Sequence, residues 1–455
     1  MWDFRRDEDH FCNMAFLLHI RGIPIESSHQ EDSGICQAKN LTPLKAILAL
    51  FSLTLLLTAC EFGSQPQTDR HLVDNPAGRG ARLPRLSAFP GGGVLMSWVE
   101  PHADGYILKF AVHQKDGWVR EGEVAQGSDW FINWADFPSV VALDESFWAA
   151  HWLVKHPNGR PYDYDIALSI STDAGSTWSP TQAPHRDGSA AEHGFVTMYP
   201  VDDGAGLLWL DGRDHVAKTE PHVDSKPSGN FTLRHARIGR DGTMGAEHIL
   251  DGNTCTCCWT SVAMTSLGPI ASWRSRTDHD IRDHAISRWR ENHWSAPMPL
   301  GQEAWHIAGC PTNGPALAAR GLHVAAAWFT AAEDRPRIRA AISLDGGQHF
   351  EPPVEIDEND PIGRTGVAWL DERTAVISWM TTPQDDTGRA TLALRTFSLD
   401  HTLGPVQKIT DMSGGRDSGV PQLIKGESGL LLAWTAAAPD YGIQTMWMNA
   451  MEYNH

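Results

Sequence analysis

From about residue 70 onward, short apolar runs alternate with polar stretches rich in glycine and proline. One run recurs with tryptophan at its end, at residues 94–98, 148–152, 206–209, 270–273, 324–328, 375–379 and 430–434. The closing tryptophans are 54, 57, 64, 55, 51 and 55 residues apart. Runs this short, bounded by turn formers, predict strands rather than helices. Each is preceded by a short apolar strand and a turn. Each is followed by a polar loop and a third strand, at 108–112, 166–170, 231–238, 284–289, 338–343, 391–397 and 443–448. A fourth segment, such as 178–183 or 354–356, closes every copy but the last. Four short strands repeated at a near-constant period predict an all-β, seven-bladed β-propeller over residues 71–455. A single blade cannot bury both of its faces, so blades must stack, and the recurring tryptophan is expected in the contacts between them. The seventh copy lacks a fourth strand; residues 71–75 are expected to supply it and close the ring. Two separate β-sandwiches are the alternative, but the even spacing runs across any boundary between them.

Residues 46–57 are one apolar run, with Lys39 and Lys45 before it and Thr58, Ala59 and Cys60 after it. A basic flank, a short apolar core and small residues describe a secretory signal. The run is too short to span a membrane comfortably. Leu57-Thr58-Ala59-Cys60 resembles a bacterial lipobox, which implies cleavage and lipidation at Cys60. Residues 1–40 are mixed and polar and do not fit a signal, so translation is expected to begin near Leu41. The organisation is thus a leader over 1–59, a lipidated Cys60 with a linker over 60–70, and one propeller. The expected location is the bacterial cell envelope, on the periplasmic side of the inner or outer membrane or at the surface.

Composition agrees with many short strands: 19 Trp against 6 Tyr, with 41 Gly and 28 Pro. The net charge of −19 excludes nucleic acid or an anionic membrane surface as the main partner. Membrane contact is left to the lipid anchor, and local basic clusters remain free to bind small anions.

Residues 171–178 read Ser-Thr-Asp-Ala-Gly-Ser-Thr-Trp, and 343–350 read Ser-Leu-Asp-Gly-Gly-Gln-His-Phe. Both fit the Asp-box pattern Ser-x-Asp-x-Gly-x-x-aromatic and fall between third and fourth strands. The Asp can accept backbone N–H groups across the turn, and the glycine permits positive φ. On these residues the mature chain resembles the sialidase superfamily, in particular bacterial lipoproteins with BNR repeats. Sialidases are six-bladed, which is the alternative blade count. The resemblance implies a ligand site at the channel mouth, opposite the Asp-boxes.

Counting back from each tryptophan places Arg82, Asp136, Gly194, Cys258, Asn313, Arg364 and Gly419 at the entrance to the first strands, with Arg416 and Arg276 nearby. A guanidinium holds a carboxylate through two parallel N–H bonds. The resemblance implies three such arginines; Arg82-Leu83-Pro84 is similar to the element carrying the first, and Arg364 and Arg416 are the candidates for the others. The same arginines can instead pair with Asp136, Asp280, Asp283 or Asp417. The resemblance also implies a tyrosine nucleophile and an aspartic acid, for which Tyr199 and Asp136 are the candidates. The expected function is binding of an anionic ligand, a glycan in particular, at the mouth, with exo-sialidase-like hydrolysis as the activity if the protein is an enzyme. The ligand-binding set is Arg82, Arg364, Arg416, Arg276 and Asn313.

A second reading rests on Cys255, Cys257, Cys258 and Cys310, on loops entering the fourth and fifth copies. In an oxidising compartment they can form two disulfides, with Cys255 or Cys257 bridged to Cys310. They can equally form a thiolate site for copper or zinc, with His306 or His193 as a further ligand, or a redox-active thiol centre. A non-catalytic scaffold is the third reading.

Overall fold

A computed structural model describes residues 70–115, 117–215, 229–382, 389–436 and 441–449. The 46–57 run, Cys60 and the expected start near Leu41 lie outside the described residues. Residues 65–455 form one compact unit. It contains seven antiparallel sheets, one for each copy of the sequence pattern, and is a seven-bladed β-propeller.

Blade 1 runs Arg82–Ala88, Val94–His102, Gly105–Gln114 and Gly117–Gly127. Blades 3, 5 and 6 repeat this four-strand meander. In blade 4 the outer edge is made of two short pieces, His293–Trp294 and Met298–Pro299, both paired with His284–Arg290. Blade 2 has three strands, Ser139–Ala142, Trp148–Lys155 and Tyr164–Ser171. Its expected fourth segment makes one β-bridge, where Leu168 and Gln182 exchange both N–H···O bonds at 2.8 and 2.9 Å, and one further backbone bond, from Ser179 N to Ile170 O at 2.8 Å. The turn hydroxyls take over there: Ser179 Oγ accepts the Ile170 N–H at 3.1 Å, so the ladder is interrupted.

Blade 7 closes as expected. Strand Arg70–Val73 pairs antiparallel with Gly442–Asn449, from Arg70 opposite Met448 to Val73 opposite Thr445. Asn75 Nδ2 donates to Ile443 O at 2.9 Å and Thr445 Oγ1 to Val73 O at 2.7 Å. The ends of the described chain therefore lie in one sheet.

The core is distributed over the blade contacts. Six of seven apolar clusters join residues of two neighbouring blades, the seventh, between blades 3 and 4, also takes in residues of blades 2 and 7, and each contains a second-strand tryptophan. Trp98, Trp209, Trp273, Trp328, Trp379 and Trp434 are at most 1 % exposed, and Trp152 5 %. Five of these indoles donate Nε1–H to a carboxylate: Trp98 to Glu100, Trp209 to Asp211, Trp273 to Asp251, Trp328 to Glu303 and Trp379 to Asp357, at 2.6–3.1 Å. The recurring tryptophan thus packs one blade on the next and satisfies a polar group at their seam.

The 171–178 and 343–350 turns form as their residue types require. Asp173 Oδ1 accepts from Thr177 N at 2.8 Å and Asp345 Oδ1 from His349 N at 3.0 Å. Hydrogen bonds hold the Asp173 carboxyl down at about 2. Gly347 sits at φ 78°, where a Cβ would lie 2.1 Å from Ile270 Cδ1.

Candidate functional site at the channel mouth

First strands begin, and second strands end, at the mouth face. The first strand enters several blades through a left-handed residue: Leu83 at φ 58°, Phe195 at 54°, Arg364 at 56° and Gly419 at 62°. The ladder shifts register beside the first three, as a β-bulge does. Each freed N–H finds an acceptor on the preceding blade. Asp136 Oδ1 takes Phe195 N at 2.7 Å, Asn313 Oδ1 takes Arg364 N at 2.7 Å, and Thr435 Oγ1 takes Leu83 N at 3.3 Å. Asp136 and Asn313, aligned in one column of the sequence, therefore share one structural task, pinning the next blade's bulge. The Asn313 amide also donates to Ile362 O and Pro311 O, so its polar capacity is taken up by backbone.

The arginines part company. Arg364 is 5 % exposed and faces carbonyls rather than an open space. Its Nη1 donates to Ser418 Oγ at 2.6 Å and Gly419 O at 2.7 Å, its Nη2 to Gly415 O at 2.9 Å, and the guanidinium lies 4.6 Å from the Trp134 ring centre. Arg416 is exposed, on the short turn Arg416–Ser418. Arg276 pairs with Asp280 at 2.7 Å. Arg82 is half-buried, its guanidinium 5.9 Å from the Tyr106 ring centre and its Nε without a partner among the described residues. Among the described residues no acceptor is shared by Arg82, Arg364 and Arg416. The centre of the mouth is filled by Trp134, Phe137, Phe195, Trp259 and Val420, contributed by four blades to one apolar cluster.

Asp136 meets a tyrosine, but not Tyr199. Tyr199 lies on the flank of blade 3, 3 % exposed, edge-on to Trp294 at 5.8 Å. The partner is Tyr164, at the start of the third strand of blade 2. Its hydroxyl donates to Asp136 Oδ2 at 2.7 Å and lies 3.2 Å from Glu192 Oε1, on the loop entering blade 3. Gly194 makes room for this arrangement, since a Cβ there would lie 2.0 Å from Asp136 Oδ2. Burial pushes the Asp136 carboxyl up to about 7, against the hydrogen bonds from Tyr164 and Phe195. Burial and the neighbouring Asp136 charge push Glu192 up to about 8. Burial and both carboxylates hold the Tyr164 phenol well above its usual range, so it remains a donor. Two carboxyls this close do not both ionise readily, and near neutral pH one keeps its proton.

A cleft of about 510 Å³ lies between the loops of blades 1 and 2, lined by Tyr106, Trp130, Phe131, His156, Arg160 and Tyr162 and not by Asp136, Tyr164 or Glu192. Phe131 forms the wall between the cleft and this group, stacked on Tyr164 with ring centres 4.1 Å apart. Arg160 is fixed to Asp163 at 2.9 Å, which holds the loop.

One consequence is measurable. The folded chain holds a proton on Asp136 up to about pH 7, whereas an unfolded Asp releases it near 4. Stability from this group is therefore greatest at low pH and falls as pH rises between those values, at up to about 1.4 kcal/mol per pH unit. Asp136→Asn should keep the bond from Phe195 N, with the amide N–H donating to the Tyr164 oxygen instead of accepting from it, and flatten that slope in urea unfolding between pH 4.5 and 7.5. Equal slopes for both proteins would show that Asp136 does not titrate as described.

Two further clusters lie on this face. Cys257 and Cys310 are joined in a disulfide, with Cα atoms 6.3 Å apart. Cys255 and Cys258 are buried thiols, their sulfurs 3.2 Å apart, and Cys255 Sγ is 3.7 Å from Cys310 Sγ. His306 is exposed and takes part only through a backbone bridge to Ile281, outside the sulfur group. His193 lies elsewhere, fully buried and stacked on His185 at 3.8 Å. Asp165 and Asp187 flank this pair, 3.3 and 3.5 Å from the two His193 ring nitrogens. Burial and the His193 charge bring His185 down to about 4, so the stacked pair carries at most one proton near neutral pH.

No protein-family model matches the chain, and no curated protein does. Solved structures do. A Hadza microbial sialidase is 16 % identical, with TM-score 0.41, over 66 % of this chain and 63 % of its own. The chain thus spans somewhat less than two thirds of that sialidase. A PL25 polysaccharide lyase, an ulvan lyase bound to -[GlcA(1-4)Rha3S]-, is 12 % identical with TM-score 0.49, over 84 % of this chain and 96 % of that one. The α-L-arabinanase of Penicillium chrysogenum, complexed with arabinobiose, is 11 % identical with TM-score 0.44, over 82 % and 94 %.

Proposed function

We propose that the protein is an envelope-anchored propeller that binds an acidic carbohydrate in the mouth-face cleft between blades 1 and 2, beside a carboxyl pair that Phe131 separates from the cleft. The observation that carries this is the Tyr164 hydroxyl set between the buried Asp136 and the half-buried Glu192, two carboxyls of which one keeps its proton near neutral pH. Titratable groups perturbed by burial and by each other, under a concave surface, mark sites of chemistry more often than sites of packing. The cleft offers the exposed Tyr162 and the half-buried Tyr106 as rigid faces for the apolar side of a sugar ring, over the buried Trp130 and Phe131. Lys155, His156 and the Asp163-paired Arg160 line the cleft, and Arg82 lies against Tyr106; these cationic side chains suit a sugar carboxylate or sulfate. Anchorage at Cys60 belongs to the same proposal, supported by the 46–57 run that precedes it.

Calorimetric titration with a panel of uronate, sialate, sulfated and neutral oligosaccharides tests the reading. At least one acidic member should bind. Tyr162→Ala, at a side chain 57 % exposed, should weaken that binding by about tenfold or more, equivalent to about 1.4 kcal/mol. Binding unaffected by both Tyr162→Ala and Glu192→Gln, or none to any member, would refute it.

A further inference from the structure

The sulfur cluster carries a separate inference. Cys255, Cys257 and Cys258 come from the loop entering blade 4 and Cys310 from the loop entering blade 5, and all four sulfurs lie within 4.8 Å of one another. Four thiolates around a tetrahedral ion, at roughly 2.3 Å each, stand about 3.8 Å apart. The Cys255–Cys258 and Cys255–Cys310 separations of 3.2 and 3.7 Å are already close to that. The backbone N–H of Cys257 reaches the Cys255 sulfur, and that of Asn313 the Cys258 sulfur. Thr312 Oγ1 lies 3.3 Å from Cys257 Sγ.

The arginines beside the cluster point the same way independently. Arg274 is 2 % exposed and Arg282 4 %. Arg274 hydrogen-bonds only to carbonyls, those of Asn313, Arg282 and Phe329, and stacks 5.0 Å from the Trp305 ring centre. Among the described residues no carboxylate pairs with it. Arg282 has one carboxylate, Asp280 at 3.4 Å, which Arg276 holds more closely at 2.7 Å. Its Nη1 points at Cys255 Sγ, 3.5 Å away, and its buried Nε has no partner among the described residues. Two buried cations short of counter-charge are costly unless an anion sits beside them. Four thiolates on Zn²⁺ leave two negative charges, which is what two guanidiniums neutralise; Cu⁺ reaches the same charge with three thiolates, the fourth cysteine then remaining a thiol.

We propose that the reduced protein binds one soft d¹⁰ metal ion, Zn²⁺ or Cu⁺, through Cys255, Cys257, Cys258 and Cys310, with Arg274 and Arg282 as its counter-ions. A dithiol reductant opens the Cys257–Cys310 bond: the disulfide takes two electrons and two protons, and the reductant becomes a disulfide. Metal binding then displaces the thiol protons into solvent. The bound ion would join the loops of blades 4 and 5. The site lies outside the carbohydrate cleft and does not depend on it.

The test uses the folded, reduced wild-type propeller under anaerobic conditions, with Co²⁺ as the optical probe and Zn²⁺ and Cu⁺ as competitors. One equivalent of Co²⁺ should give the strong sulfur-to-cobalt charge-transfer and visible bands of a tetrathiolate. One equivalent of Zn²⁺ or Cu⁺ should remove them; the ion that does so at the lower free concentration is the cognate one. Cys258→Ser should weaken Zn²⁺ or Cu⁺ binding at least a hundredfold. The wild-type titration is decisive even if that variant folds poorly. Failure of the reduced protein to take up a stoichiometric amount of any of the three ions, or two disulfides that persist through reduction, would overturn the proposal.

Discussion

Deleting residues 70–75 should open the ring and cost the propeller several kcal/mol, with self-association as the visible result. The deletion removes the whole Arg70–Val73 ladder against Gly442–Asn449 and the Asn75 and Thr445 side-chain bonds that flank it. It also removes the Asp74 carbonyl that accepts the Trp118 indole N–H at 2.9 Å. At about 0.5–1.5 kcal/mol net per hydrogen bond, the sum is large against ordinary domain stability. The strand it uncovers is long and apolar on one face, and an unpaired edge of that kind recruits another chain. Denaturant unfolding should show a lower midpoint and light scattering a species larger than the monomer. A monomer of unchanged stability would mean that blade 7 does not need this strand.

Trp379→Ala should be the most damaging single substitution in the blade contacts, at about 3–5 kcal/mol. The side chain is fully buried between blades 5 and 6, among Ala327, Ile338, Ile377 and Phe397. Its Nε1 donates to Asp357 Oδ2 at 2.6 Å, so removal also leaves a buried carboxylate short of a donor. Trp379→Phe separates the contributions. It retains much of the packing and loses the hydrogen bond, and should cost about 1–3 kcal/mol. Chemical unfolding of the two variants measures both quantities. A Phe variant as damaged as the Ala variant would place the whole effect in the hydrogen bond.

The recurrence that made the tryptophans legible in the sequence is the recurrence of the seam they fill. Blade number, strand order and ring closure could be read because each blade repeats the same burial problem. The weak outer edge of blade 2 could not be read, because residues 178–183 carry strand-like composition while Ser179 draws the Ile170 N–H away from the ladder.

The site was legible in its parts and not in its pairing. The column containing Asp136 and Asn313 was visible, and so was its position at the mouth. Its task of accepting a backbone N–H from the next blade was not, since main-chain donors leave no mark in a sequence. Arg364 was singled out by its charge, but its partners are the carbonyls of Gly415 and Gly419, which any residue supplies. Tyr164 was missed because it lies 28 residues from both Asp136 and Glu192. Only the fold brings a third-strand start, its own blade's entry loop and the next blade's entry loop together. The cysteines were easier: the loops entering neighbouring blades lie side by side, so Cys310 could be placed beside Cys255, Cys257 and Cys258. The buried arginines that give that cluster its charge were not foreseen.

The carbohydrate site is tested most directly by hydrogen–deuterium exchange with a bound acidic oligosaccharide. Protection is expected at residues 129–136, 155–164 and 191–195, the segments that carry the cleft and the Asp136, Tyr164 and Glu192 group. Protection confined instead to the cleft of about 460 Å³ on the outer strands of blades 3 and 4, around His235, His248 and Trp289, would contradict it.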